Sequence, residues 1–115
     1  MAEERRQVKR LTEYLPVSLQ HRSTPGLLHT LTKDISTAGM RCLSQVAFPV
    51  QTKLTVEMTL PRTSHSVTVQ GQTVWLRTIP HSDQFELGIM FTEIAEEARQ
   101  LLSTYTHVGL EKSGS

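Results

Sequence analysis

Between Leu15 and Phe91 the apolar residues recur at every second position in short runs, and turn-forming residues break each run from the next. Period-two patterning sends successive side chains to opposite faces of an extended chain, so these runs read as strands with one buried face. Leu15, Val17 and Leu19 make the first; Pro16 lacks an N–H, which predicts an edge position. Ser23, Pro25 and Gly26 mark a turn. Leu27 to Ile35 makes a second strand, with Leu27, Leu31 and Ile35 on one side, and Met40 to Leu43 a third after a corner at Gly39. Residues 48–52 connect to a fourth, in which Leu54, Val56, Met58 and Leu60 alternate cleanly before Pro61.

The fifth run changes phase. Val67 and Val69 fall at odd positions, Val74 and Leu76 at even ones, and Gly71 lies between. A glycine at a change of inner face predicts a bulge or sharp bend, as a small closed sheet requires. Residues 79–83 form a turn, and Phe85, Leu87, Ile89 and Phe91 make a sixth strand containing Gly88. The period then becomes helical over 93–105: Ile94, Ala98, Leu101 and Tyr105 share a stripe, Thr92 suits the N-cap, Glu93, Glu96 and Glu97 suit the first turns, and Gly109 suits the stop. Six strands with turns between them indicate an all-β antiparallel barrel or sandwich with one C-terminal helix. The domain limits follow: a flexible arm over 1–13, the barrel and helix over 14–108, and a disordered polar tail over 109–115.

At 115 residues and 37% apolar content the chain supports one domain with a modest core. The formal charge of +1 and aromatic share of 5% argue against a nucleic-acid polymer as partner, which calls for a basic surface and stacking platforms. Charge is concentrated instead: Arg5, Arg6, Lys9 and Arg10 lie within the arm. A local basic segment on a near-neutral chain suits a discrete anion site. The single Cys42 forms no internal disulfide and reads as a small buried hydrophobe. With a charged N-terminus and no long apolar run, no membrane span is predicted and a cytoplasmic location is expected.

Two motifs carry the chemistry. Arg6 and Arg10 are spaced as RxxxR; Asp34, Ser36 and Gly39 form DxSxxG in a strand-to-strand corner. Guanidinium groups pair bidentately with phosphate and with guanine O6 and N7, and also stack on bases. A carboxylate accepts from guanine N1–H and N2–H2. Taken alone, DxSxxG also suits a plain turn, with Asp and Ser capping local N–H groups and Gly in the left-handed region. The histidines, His21, His29, His65, His81 and His107, are scattered without metal-ligand spacing, and no nucleophile elbow accompanies Ser36, so neither a metal site nor a hydrolase is expected. Trp75 reads as core or barrel-rim packing, and Met40, Met58 and Met90 as gap fillers.

In order and spacing these residues resemble the PilZ domain, the bacterial receptor module for cyclic di-GMP. The stretch from Gly71 to Trp75 is similar to the family's G-x-V-V-W segment, with one residue more before the valine, and Glu86 to Phe91 is similar to its late strand. The resemblance covers about residues 4 to 106. It implies a six-stranded antiparallel barrel with an N-terminal arm that closes over the ligand. It further implies that Arg6 and Arg10 grip phosphate and guanine, with Arg5 adding a third cation. Asp34 would take the guanine N1 and N2 hydrogens, and Ser36 would bond base or phosphate. Gly39 would permit close approach or supply a positive φ. Glu13, close behind the arginines, would weaken the site if it faced the ligand. The resemblance implies a non-enzymatic receptor without a cofactor, acting on motility, adhesion or exopolysaccharide output through an unidentified effector protein. The alternative within the family is an interaction module that does not bind the nucleotide.

Overall fold

The computed structural model describes the backbone of residues 14–61 and 65–114, with side chains through residue 107. The expected arm over 1–13, with Arg5, Arg6, Arg10 and Glu13, lies outside the described residues. Among the described residues six strands form: β1 (Pro16–His21), β2 (Leu28–Ile35), β3 (Gly39–Ser44), β4 (Lys53–Thr59), β5 (Ser66–Thr78) and β6 (Phe85–Glu93), followed by one helix, α1 (Glu96–Gly114). All strand pairs are antiparallel and the sheet closes in the order β1-β2-β3-β6-β5-β4. The barrel expected from the resemblance is therefore the fold, and the sandwich is not.

Alternation fills the barrel. Val17 and Leu19 from β1, Leu54, Val56 and Met58 from β4, Val67 and Val69 from β5, and Leu87 and Ile89 from β6 all point inward and are buried, with Leu15 and Leu60 at strand ends. Cys42 is buried among them, and burial, with the nearby Glu86 charge, pushes its thiol up to about 12. Leu102 and Tyr105 of α1 complete the core.

Closure overturns the edge position of Pro16. β1 pairs with both β2 and β4, and Pro16 is tolerated because it is the first residue of its strand, opposite Leu31 on β2 and outside the β4 ladder. The common face expected for Leu27, Leu31 and Ile35 is also overturned. Leu27 and Leu31 are exposed, Leu31 by 42%, while Ile35 is buried. The register explains this: Thr32 opposes Cys42 but Asp34 opposes Arg41, so Lys33 is an extra residue and the inner face shifts from even to odd positions.

The fifth strand shifts twice. At Gly71 the extra residue is Thr92 on β6, because Gln70 opposes Glu93 and Gly71 opposes Phe91. The face of β5 changes later: Thr73 opposes Ile89 and Trp75 opposes Gly88, so Val74 is the bulged residue. The bend predicted at Gly71 is present, but the change of inner face sits three residues on.

The helix starts later than the periodicity predicts. Thr92 and Glu93 stay in β6, where Glu93 pairs with Gln70, so Thr92 is a strand residue rather than a cap. Ala95 C=O accepts the Arg99 N–H at 2.9 Å, opening α1 with Glu96 and Glu97 in its first turn. The backbone continues helically through Gly109 to Gly114, where a stop and a disordered tail were expected. One interior glycine costs a helix only about 1 kcal/mol relative to alanine, and Leu110, Glu111 and Lys112 are good helix formers.

Candidate functional site

The two bulges shape one outer face of the barrel. On β2 the extra residue lets Lys33 and Asp34 both avoid the interior; on β5 it does the same for Val74 and Trp75. Strands β3 and β6 run between them, so Asp34 and Trp75 flank a shallow groove. Gly39, Arg41, Gly88 and Met90 contribute to its floor and walls. Bulges that re-aim side chains are frequent beside binding sites.

Gly88 is the floor under Trp75. A Cβ at Gly88 would lie 2.2 Å from Trp75 Nε1 and 2.3 Å from Cε2, so the indole lies directly over this glycine. Trp75 is 37% exposed and Met90 46% exposed. The expected roles of Trp75 in core or rim and of Met90 as a gap filler are thus replaced by places on the outer face; Met40 and Met58 are core.

The DxSxxG corner divides its labour. Ser36 is buried: its N–H donates to Gly39 C=O at 2.9 Å, and its hydroxyl accepts the Ala38 N–H at 3.1 Å. Phe91 N–H donates to Ala38 C=O at 2.9 Å, tying the corner to β6. Gly39 has no left-handed φ; among the described glycines only Gly26 does, at 112°. What Gly39 provides is room, since a Cβ there would stand 2.3 Å from the Ile89 carbonyl oxygen. The positive-φ role is overturned, and the close approach is that of β6.

Asp34 sits at the end of this corner and is buried. Arg41, directly opposite on β3, donates Nε at 2.7 Å and Nη2 at 2.6 Å to Asp34 Oδ2. The Asp34 hydrogen bond, only partly offset by burial, raises the Arg41 guanidinium above its ordinary range. Next to this pair, Glu86 is 1% exposed and meets Lys33 and Arg77. Burial pushes the Glu86 carboxyl up, but the Lys33 ammonium and Arg77 guanidinium together outweigh it and hold the group below the usual carboxylate range. Sequence reasoning missed Lys33, Arg41, Arg77 and Glu86, because only strand register brings them together. For Arg41 and Glu86 a signal was available, since each is a charged residue beside inward-facing positions, Met40 and Cys42 for Arg41 and Leu87 for Glu86; for Lys33, beside the bulge, there was none.

The root of the arm is fixed at the same place. Leu15 N–H donates to Thr32 Oγ1 at 3.1 Å, and Thr32 N–H donates to Leu15 C=O at 2.9 Å. The chain therefore enters the barrel two residues from Asp34.

The PilZ domain family model matches residues 4–107. The chain belongs to the PilZ domain family. PilZ domains are cyclic di-GMP receptor modules rather than enzymes. Three solved structures share the fold. The Bacillus subtilis inhibitor of motility MotI/DgrA is 21% identical with a TM-score of 0.80, over 94% of this chain and 52% of that one. The PilZ domain of YcgR from Escherichia coli, solved with c-di-GMP, is 14% identical with a TM-score of 0.72, over 95% and 94%. MrkH of K. pneumonia is 11% identical with a TM-score of 0.78, over 92% and 49%. The chain thus spans about half the length of the Bacillus protein. No curated protein sequence matches it. Among the described residues of this PilZ domain, no three His, Cys, Asp or Glu side chains are grouped to hold a metal ion. Among the same described residues no helix is long and apolar enough to cross a membrane.

Proposed function

We propose that this PilZ domain is a cyclic di-GMP receptor that acts, without catalysis, as a ligand-switched regulator through a partner protein. The observation that carries the reading is the pair of bulges. They set an acceptor, Asp34, and an exposed indole, Trp75, on either side of one groove, with the arm's root hydrogen-bonded beside Asp34. Asp34 accepts the guanine N1 and N2 hydrogens, and Trp75 offers a face for a base. Ser36 and Gly39 hold the corner in shape. Arg10 lies five residues before Leu15, a reach of about 17 Å in extended chain. Arg5, Arg6 and Arg10 therefore have the length to meet the phosphates of a ligand seated in the groove. A cationic arm ordered by its ligand presents a new surface to an effector. Motility is the first output to assay, with adhesion and exopolysaccharide next.

Calorimetric titration with cyclic di-GMP tests the reading, with cyclic di-AMP as control. Saturable binding is expected. Arg10→Ala or Asp34→Ala should weaken it about 10- to 150-fold, the value of a charge-assisted hydrogen bond of about 1.5–3 kcal/mol. No heat above dilution at micromolar ligand would reduce the chain to an interaction module of the same fold.

A further inference from the structure

Three basic side chains from three strands surround one buried carboxylate at the margin of the groove. Arg77 donates Nε at 2.6 Å and Nη2 at 2.5 Å to Glu86 Oε1, and Lys33 Nζ lies 3.0 Å from Oε2. Arg41 Nη1 stands 3.7 Å from the same Oε2 while its other nitrogens bond Asp34. Among the described residues Oε2 accepts no aligned hydrogen bond, although it is buried and ion-paired. A carboxylate oxygen has lone pairs for more than one donor, so with Lys33 already 3.0 Å away Oε2 can still accept a second. Arg41 needs to close only about 0.8 Å to reach the usual charge-assisted distance of about 2.9 Å.

We propose that Glu86 is a positioning residue of the nucleotide site, acting through Arg41. Glu86 anchors the guanidinium from behind, and the guanidinium fixes the Asp34 carboxylate in one orientation toward the groove. A guanine edge that engages Asp34 draws on the same carboxylate as Arg41, and the Glu86 charge keeps the guanidinium in place while both donors are bound. Arg41 is the link between a carboxylate at the base-binding position and one behind it. Its opposite partner on β6 is Gly88, the residue that the Trp75 indole covers, so the guanidinium and the indole are neighbours on one face. The result is selectivity for a purine that donates from both N1 and N2, because a fixed acceptor rejects a base lacking one donor more strongly than a mobile one does.

This inference rests on the nucleotide reading above, and the test separates the two. The unaltered protein, R41Q, E86Q and the double variant are titrated with cyclic di-GMP and with cyclic di-IMP, which lacks the N2 amine. R41Q leaves Glu86 with Lys33 and Arg77, so it remains informative even where E86Q does not fold. The expected result is a loss of roughly 10-fold in cyclic di-GMP affinity for R41Q. The preference over cyclic di-IMP should fall to about 2-fold or less, because the N2 donor then meets an unfixed acceptor. E86Q should show the same pattern, and the double variant should be no weaker than either single one. An unchanged preference in R41Q, or losses that add in the double variant, overturns the positioning role alone. Failure of the unaltered protein to bind cyclic di-GMP overturns both readings.

Discussion

Gly39→Ala is the most severe small substitution the corner offers. The added Cβ would stand 2.3 Å from the Ile89 carbonyl oxygen and 3.3 Å from both Ile89 C and Met90 Cα. All three are backbone atoms of β6, so no side chain can swing aside, and β3 must part from β6 by about 1 Å to restore ordinary contact. That movement acts on the bonds closing the corner, Ser36 N–H to Gly39 C=O and Phe91 N–H to Ala38 C=O, each 2.9 Å. Overpacking costs about 1–3 kcal/mol, and each weakened hydrogen bond about 1 kcal/mol, so about 3 kcal/mol is a fair sum. Unfolding entropy near 2.1 cal/mol/K per residue gives about 0.24 kcal/mol/K for a chain of this length, which turns that cost into a fall in Tm of about 12 °C. Gly26→Ala is the control: its φ of 112° is strained for alanine, but nothing lies within 4 Å. It should cost about 1 kcal/mol, or about 4 °C. Thermal unfolding followed by circular dichroism checks both. A Gly39→Ala variant melting within about 3 °C of the parent, or no lower than Gly26→Ala, would refute the steric argument.

Gly88→Ala meets a side chain rather than backbone, so the Trp75 ring should swing off the face and stability should fall by only about 1 kcal/mol. Trp75 is the one tryptophan, so its emission should shift to the red, and cyclic di-GMP affinity should drop about 5-fold or more for a lost stacking contact; an unmoved spectrum sinks this. Glu86 has a folded pKa below its ordinary value of 4.5, so its ion pairs contribute stability above that value and lose it as pH falls through the folded pKa. Urea midpoints of the parent and E86Q should accordingly converge as pH is lowered from 5 toward 3, and a gap that stays constant over that range counts against the assignment.

What was legible in the sequence was what is local. Leu54, Val56, Met58 and Leu60 announce β4 because one strand face is buried along its whole length. Pro61 and the Pro25-Gly26 pair announce turns because their backbones permit little else. Phase changes were harder. Nothing in the residues between Leu31 and Ile35 says which is extra; that is decided by pairing with Cys42 and Arg41 on another strand. The same holds for Val74, which opposes nothing because Thr73 and Trp75 pair with the adjacent residues Ile89 and Gly88. The tertiary pairing that overrode the pattern at these two positions is also what builds the groove. The clearest local cue, Gly71, marked a real irregularity but not the one that turns the face.

The same distinction resolves the two readings of the DxSxxG motif, a plain turn or a set of ligand contacts. Ser36 and Gly39 are used up by the turn: the serine hydroxyl is buried against Ala38 N–H, and the glycine is required by the Ile89 carbonyl. Asp34 is not part of that turn. The bulge before it carries its side chain outward to Arg41, where a merely structural aspartate would have no need of a groove with an exposed indole opposite. A tight, fully bonded turn and a preorganised acceptor are therefore successive parts of one device, since an acceptor selects a base edge only if the backbone beneath it cannot move. On this argument, substitutions at Ser36 and Gly39 should weaken nucleotide binding in proportion to lost stability, whereas Asp34→Asn should weaken it out of proportion. A plot of binding free energy against unfolding free energy for the three variants separates these. Asp34→Asn lying on the line of the other two would mean that the whole motif is only a turn.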